Sequence, residues 1–294
     1  MITVRVPATS ANLGPGFDCM GIALGLYGYL TFEERESGLT FENVDPRYCT
    51  EDNLAVRAYR KTIDKLGLPQ PGLFVRIGSE IPVSRGLGSS ASLIVGGIAA
   101  ANAAHGDRLS RAEMLTLATE LEGHPDNVAP ALAGGLTVSL TERDGVYSMP
   151  CAVAENVRFC VLVPDFELET RKARAVLPKE VPFADACFNV SRAAVLLKAL
   201  EAGDPAGIGA AMRDRLHQPY REALIDGYAE MRSLAFECGA AAFCLSGAGP
   251  TLLCVYVDEV FGERMREAMS ALNKGWRVLT PDVDRTGAVV VSEG

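Results

Sequence analysis

Apolar positions along this chain recur with two periods, and the switches between them mark out its elements. Residues 2–7 alternate as a strand does, and residues 21–34 read as a longer strand ending in Thr31-Phe-Glu-Glu34. Leu54, Ala55, Ala58, Tyr59, Ile63 and Leu66 then follow helical spacing, with Asp52 placed to cap the helix and Gly67 and Pro69 to end it. Residues 73–77 form the next strand, which runs into a glycine- and serine-rich loop. An Ala/Gly-rich helix continues from that loop to about residue 102. A second helix opens on the capping box Ser110-Arg-Ala-Glu113, and residues 136–140 are again a strand.

The pattern resets around residues 150–156. Beyond it come a strand at 158–163, helices between 190 and 237, strands at 241–245 and 252–257, a helix at 259–273 and a strand at 288–291. With the helical block merged, this order is β-α-β-β-α-β, the ferredoxin-like arrangement. The chain is therefore expected to be α+β with two domains, 1–153 and 154–294. A cleft between two such domains is where a small ligand tends to bind.

Composition narrows the function classes. A chain of 294 residues that is 48% hydrophobic and 22% charged is ordinary globular material, long enough for two domains. The net charge is 28 − 37 = −9 and no Lys/Arg run stands out, which argues against nucleic-acid and anionic-membrane partners. The N-terminus lacks a basic and apolar leader pattern, and the most apolar stretch, 93–104, is too short to span a bilayer, so a cytoplasmic location is expected. The eight cysteines are scattered, with no C-x-x-C spacing, which argues against metal clips. Those inside apolar runs, such as Cys160 and Cys254, read as small core residues.

The chemistry concentrates in Pro82-Val83-Ser84-Arg85-Gly86-Leu87-Gly88-Ser89-Ser90-Ala91-Ser92. A Gly/Ser loop opening a helix directs free N–H groups and the positive end of the helix dipole at an anion, with the dipole worth roughly 0.3–1 kcal/mol. The plainer alternative is a turn with a serine cap, but three serines in the first turn favour phosphate. Neither the Walker A pattern nor the Rossmann fingerprint occurs. Two further glycine-rich segments are Pro7-Ala-Thr-Ser-Ala-Asn12-Leu-Gly14-Pro-Gly16-Phe-Asp18 and Leu245-Ser-Gly247-Ala-Gly249-Pro-Thr251.

In this order, the three segments resemble the motifs of the GHMP kinases, whose nucleotide loop reads P-x-x-x-G-L-G-S-S-A. The form of the first segment is most similar to the homoserine kinase branch. The resemblance implies an N-terminal domain like domain 2 of ribosomal protein S5, a C-terminal ferredoxin-like domain, and phosphorylation of homoserine by ATP with Mg²⁺. Residues 82–92 would cradle the triphosphate and Asn53 would line the adenine pocket, although Asn53 is equally placed to cap a helix. Ser90 and Glu122 would hold the metal. Glu120 competes for that role, but at about 100° per residue Glu122 lies nearer the apolar face of its helix. Asn12, Asp18, His124, Arg192, Arg221 and Gly247 would bind the amino-acid substrate, with carboxylates suited to its ammonium and guanidiniums to its carboxylate. Asp126 and Asn127 would stand at the reacting hydroxyl, where they are expected to position it, because phosphoryl transfer needs chiefly alignment and charge neutralisation. His105 and His217 are expected to be surface or structural. Two other readings stay open: a GHMP kinase acting on mevalonate or a related alcohol, and a non-catalytic relative that binds ATP or a metabolite. A homodimer is compatible with the sequence, which carries no signal for it.

Overall fold

The computed structural model describes residues 1–272 and 275–291. Two long strands, β1 (Ile2–Ala11) and β2 (Met20–Arg35), form an antiparallel pair. They are followed by β3 (Leu39–Glu42), α1 (Leu54–Leu66) and β4 (Gly72–Ser79), and then by three helices, α2 (Ser89–Ala104), α3 (Arg111–Glu122) and α4 (Pro125–Ala133). The hairpin β5 (Leu136–Glu142) and β6 (Gly145–Cys151) completes the first half. The second half contains β7 (Arg158–Val163), five helices α5 (Thr170–Ala175), α6 (Phe183–Ala202), α7 (Pro205–Ala211), α8 (Gln218–Arg221) and α9 (Tyr228–Glu237), β8 (Ala242–Leu245), β9 (Leu252–Tyr256), α10 (Phe261–Leu272), β10 (Arg277–Leu279) and β11 (Val289–Val291).

The expected β-α-β-β-α-β order is present, and its sheet runs β10-β7-β9-β8 with every neighbouring pair antiparallel. Its last strand is 277–279, however, and not 288–291. Residues 289–291 return to the first sheet and pair with β1, Thr3 opposite Val291. Residues 282–284 carry the chain there, bonding to β2 through Gly25 N–H to Asp282 O (2.8 Å) and Asp284 N–H to Ala23 O (3.1 Å). Nothing in a three-residue apolar run states which sheet has the open edge it will pair with.

Other differences are local. The side chain that caps α1 is Asn53, which accepts from Ala55 N at 3.0 Å, while Asp52 stays exposed. The helix expected to run to residue 273 is described to Leu272, and Asn273 lies outside the described residues. The sequence reading had no strand at β3 or β6. Both are half-exposed, and their apolar alternation is correspondingly weak.

Three buried clusters hold the molecule. One fills the space between the first sheet and α1–α4, with Phe32 stacked on Tyr59 at its centre. A second is shared by the two halves: Leu13, Ile22 and Leu24 meet Phe159, Leu196 and Leu253. A third packs Met231, Phe261 and Met265 on the other face of the second sheet. The shared cluster fixes the two halves against each other, and with them the walls of the cleft. Among the described residues, no helix is long and apolar enough to cross a membrane.

Candidate active site

Between the halves lies a cavity of about 980 Å³, lined by parts of all three glycine-rich segments. Its floor is the start of α2. The residue before this helix is Gly88, at φ +68°, which offers no side-chain cap, and Ser89, Ser90 and Ser92 line the cavity beside it. A serine-capped turn is thereby ruled out: the first-turn N–H groups are left to an anion. Glycine is required at 88, because a Cβ there would collide with Thr9 Oγ1. Thr9 N–H also donates to Leu87 O at 3.1 Å, so the end of β1 holds the loop from below.

The loop is also strapped to the second half. Arg85 donates from Nε to Pro164 O (3.1 Å), from Nη2 to Asp165 O (2.7 Å) and from Nη1 to Val83 O (3.0 Å), with Glu167 at 3.5 Å. Leu168 N–H donates to Ser84 O, and Ser246 Oγ donates to Gly86 O at 2.5 Å. Of the loop residues expected to touch nucleotide, Val83, Ser84, Arg85, Gly86, Gly88, Ser89, Ser90 and Ser92 line the cavity. Leu87 and Ala91 are buried beneath it, and neither they nor Pro82 are part of its lining. Asn53 lines the far end, where its Nδ2 donates to Tyr48 O at 3.0 Å while its Oδ1 caps α1. It therefore shapes the wall formed by residues 43–48.

Beside the helix start, Ser90 Oγ donates to Glu122 Oε1 at 2.5 Å. Glu122 is the last residue of α3, turned inward, and burial raises its carboxyl above the ordinary range against the pull of Ser90 and His124. A hydroxyl and a desolvated carboxylate facing a phosphate loop are hard oxygen donors of the kind Mg²⁺ takes.

α4 supplies the next group. His124 Nδ1 bonds Asp126 Oδ1 at 2.5 Å, and Asn127 Nδ2 points to the same oxygen at 3.4 Å. Burial pushes the His124 pKa down, but the hydrogen bond and charge of Asp126 outweigh it and the net shift is upward. Asn127 Oδ1 accepts from Thr9 Oγ1 at 2.8 Å, so its Nδ2, which reaches Asp126 Oδ1 only at 3.4 Å, is the donor end of the side chain. Asp126 is 2% exposed and its Oδ1 is engaged, an arrangement that holds neighbours in place.

The first segment supplies Asn12, whose Nδ2 donates to Gly247 O (2.9 Å) and whose Oδ1 accepts from Asp18 N–H (3.0 Å). Asp18 is gripped by a residue that the sequence reading missed: Arg174, at the end of α5, donates from Nη2 to Oδ1 at 2.6 Å and from Nη1 to Oδ2 at 3.1 Å. Asp18, His124 and Asp126 bring ligand atoms within 4.8 Å of one another. The guanidinium already among them marks a site for an organic cation and its counter-charge more than one for a metal. Arg221 is fully buried, donating from Nε to Ala173 O (3.0 Å) and from Nη1 to Gly247 O and His217 Nδ1 (both 3.3 Å), and burial followed by the charge of Arg174 lowers its pKa to about 10. His217 is structural, as expected, and bonds Gly14 O at 2.8 Å. His105 pairs with Glu34 at the surface.

Arg192 is not brought to this cavity. It projects from α6 over the Phe188 ring, 3.2 Å from the centroid. The pattern Thr170-Arg-Lys-Ala-Arg174, a short cationic helix after a buried strand, was the available signal for Arg174, but its direction depends on packing.

Fold and site together define a small-molecule kinase cleft, with the glycine- and serine-rich start of α2 on one side and the Asp18–Arg174 pair and Arg221 on the other. Family models described as GHMP kinases N terminal domain and GHMP kinases C terminal match residues 53–135 and 196–275. A homoserine kinase from Clostridium botulinum is 44% identical over 292 residues, covering 99% of this chain and 98% of its own, and one from Clostridium beijerinckii is 43% identical over 294 residues. The crystal structure of homoserine kinase from Cytophaga hutchinsonii superposes with a TM-score of 0.87 at 28% identity, over 99% of this chain and 97% of that one. A mevalonate kinase from L. major, at 16% identity and a TM-score of 0.74, shares the fold. The chain belongs to the homoserine kinases of the GHMP kinase family, whose members use ATP as phosphoryl donor.

Proposed function

We propose that this protein transfers the γ-phosphoryl group of ATP to the side-chain hydroxyl of homoserine, giving O-phosphohomoserine and ADP. The observation that carries the choice of acceptor is the Asp18–Arg174 pair: Arg174 and Arg221 line the cavity wall, and Asp18 stands behind that wall, held by Arg174. A free amino acid carries both of the pair's charges: its ammonium replaces the guanidinium on Asp18, and its carboxylate takes up Arg174 and Arg221 in turn. Mevalonate has no ammonium to take the place of the guanidinium on Asp18, so Arg174 would stay paired with Asp18 and be less free to meet the substrate's carboxylate.

In this reading the amides at the start of α2 hold the triphosphate. Ser90 and Glu122 would hold Mg²⁺, which when bound neutralises charge on the phosphates. Asn12 fixes the Asp18 loop, and His124, held by Asp126, donates toward the acceptor. Asn127, an amide unable to take a proton, orients the hydroxyl for in-line transfer. The transition state of phosphoryl transfer is loose, so alignment and charge carry most of the rate and the hydroxyl proton need not leave early. Incubation with ATP, Mg²⁺ and homoserine, followed by phosphorus NMR of the products, tests the assignment. O-phosphohomoserine is expected, and turnover of mevalonate with none of homoserine would reverse the choice.

A further inference from the structure

Arg192 leaves a question that the active site does not answer. Around the ring of Phe188 stand three guanidiniums: Arg192 at 3.2 Å from the centroid, Arg215 at 3.9 Å and Arg213 at 5.8 Å. One carboxylate faces them, Asp185, which accepts from Arg215 Nη1 at 2.9 Å. Asp214 lies between Arg213 and Arg215 in sequence but turns inward. Its oxygens accept from Asn189 Nδ2 and from the N–H groups of Leu216, His217 and Gln218 at 2.7–2.9 Å. The local charge is therefore 3 − 1 = +2 on a protein whose net charge is −9. Desolvation, and then the charges of Arg213 and Arg215, depress the Arg192 pKa. Arg192 Nη1 reaches only Phe188 O and Ser191 Oγ, both at 3.4 Å, and its Nε is shielded from solvent with no hydrogen-bond partner. Three forked donors held against one ring, with one carboxylate between them among the described residues, form an anion receptor.

We infer that Arg192, Arg213 and Arg215 around Phe188 form a second anion site, outside the catalytic cleft, for a phosphate-bearing small molecule. A phosphate monoester or inorganic phosphate carries about −1.5 to −2 near neutral pH, which matches the +2 where a single carboxylate does not. The site is wired to the cleft. Arg215 N–H donates to Asn189 Oδ1 (2.9 Å), Asn189 Nδ2 donates to Pro15 O (3.2 Å), and His217, two residues beyond Arg215, bonds Gly14 O. These bonds join the backbone of the site to the turn that carries Asp18.

The experiment is calorimetric titration of inorganic phosphate into the full protein, with the nucleotide loop first filled by a non-hydrolysable ATP analogue and Mg²⁺. One binding event is expected. It should weaken at least about tenfold in Arg192→Gln/Arg213→Gln, in line with the loss of two charge-assisted contacts. Arg213 is exposed, so Arg213→Gln alone, checked by circular dichroism, supplies the same test with weaker loss if the double variant folds poorly. Parallel titrations with a phosphomonoester amino acid and with acetate separate an ester ligand from free phosphate, and either from a plain carboxylate. Acetate binding as tightly as phosphate, no phosphate binding, or equal binding in wild type and variants, which would mean an adventitious ion only, each overturns the inference. The measurement does not depend on which alcohol the enzyme phosphorylates, so it fails or stands separately from the homoserine assignment.

Discussion

Single residues in this protein act mostly through what they hold. Asp126 shares its Oδ1 between His124 and Asn127, and these contacts support the proposed positioning role. Asp126→Asn is expected to raise KM for homoserine and to lower kcat by less than the roughly 10²–10⁴ typical of losing a general base. A rate collapse together with loss of the acidic limb of the pH profile would identify a base instead. His217 makes a prediction about stability. It is fully buried, and burial lowers its pKa below the ordinary 6.5. The unfolded chain therefore takes up a proton that the folded chain refuses, and stability falls as pH drops from about 6.5 toward the depressed folded value. Thermal melts above and below that range should show the loss, with a shallower slope in His217→Gln. An equal slope in the variant would place the dependence on other groups. His124 has the opposite sign: its pKa is raised, so its contribution is present at low pH and fades as pH rises through the folded value. At this scale the sequence was most legible where residue type dictates chemistry. Gly88, Ser90, Asn12 and Glu122 all face the cleft, whereas Arg192, an arginine on a helix, could have pointed either way.

At the scale of elements, the start of α2 depends on a strap that local pattern does not reveal. Arg85 joins the loop to residues 164–165, and Gly86, at φ +72°, lies so close that a Cβ would be 2.5 Å from Ser246 O and 2.8 Å from Gly249 O. Arg85→Gln should raise KM for ATP at least about tenfold, the equivalent of roughly 1.4 kcal/mol and near the low end for a lost charge-assisted hydrogen bond, with a smaller effect on KM for homoserine. Arg85→Lys should not rescue it, since a single ammonium lacks the fork that spans Pro164 O and Asp165 O. Steady-state kinetics with each substrate varied in turn would decide, and equal increases in both KM values would count against the strap. Element type followed readily from periodicity for β1, β2, α1, α2 and for β7, β8 and β9 of the second sheet, but not for its edge strand β10. Short half-exposed strands such as β3 and β6 carry little periodic signal, and α4, helical despite Pro130, was hidden behind the glycine that ends α3.

For the whole molecule, the shared apolar cluster and the return of β11 to β1 tie both halves into the cleft, so ligands should stabilise the fold as a unit. A non-hydrolysable ATP analogue with Mg²⁺, at about a hundred times its Kd, should add about 2.7 kcal/mol and shift a single thermal transition upward. A shift confined to one of two resolved transitions would show that the halves melt separately. What the sequence determined by itself rests on neighbours along the chain: the three glycine-rich segments, the helix that opens on Gly88, the second half's order from β7 to α10 and, through them, the kinase class. Tertiary structure alone decided the matters that rest on distant partners. It brought Arg174 to Asp18 across 156 positions, set α6 so that Arg192 stays out of the cleft, and gave residues 289–291 to the first sheet. Backbone conformation and helix dipoles are set within a few residues, while ion pairs and strand edges depend on which surfaces the packed cores bring face to face.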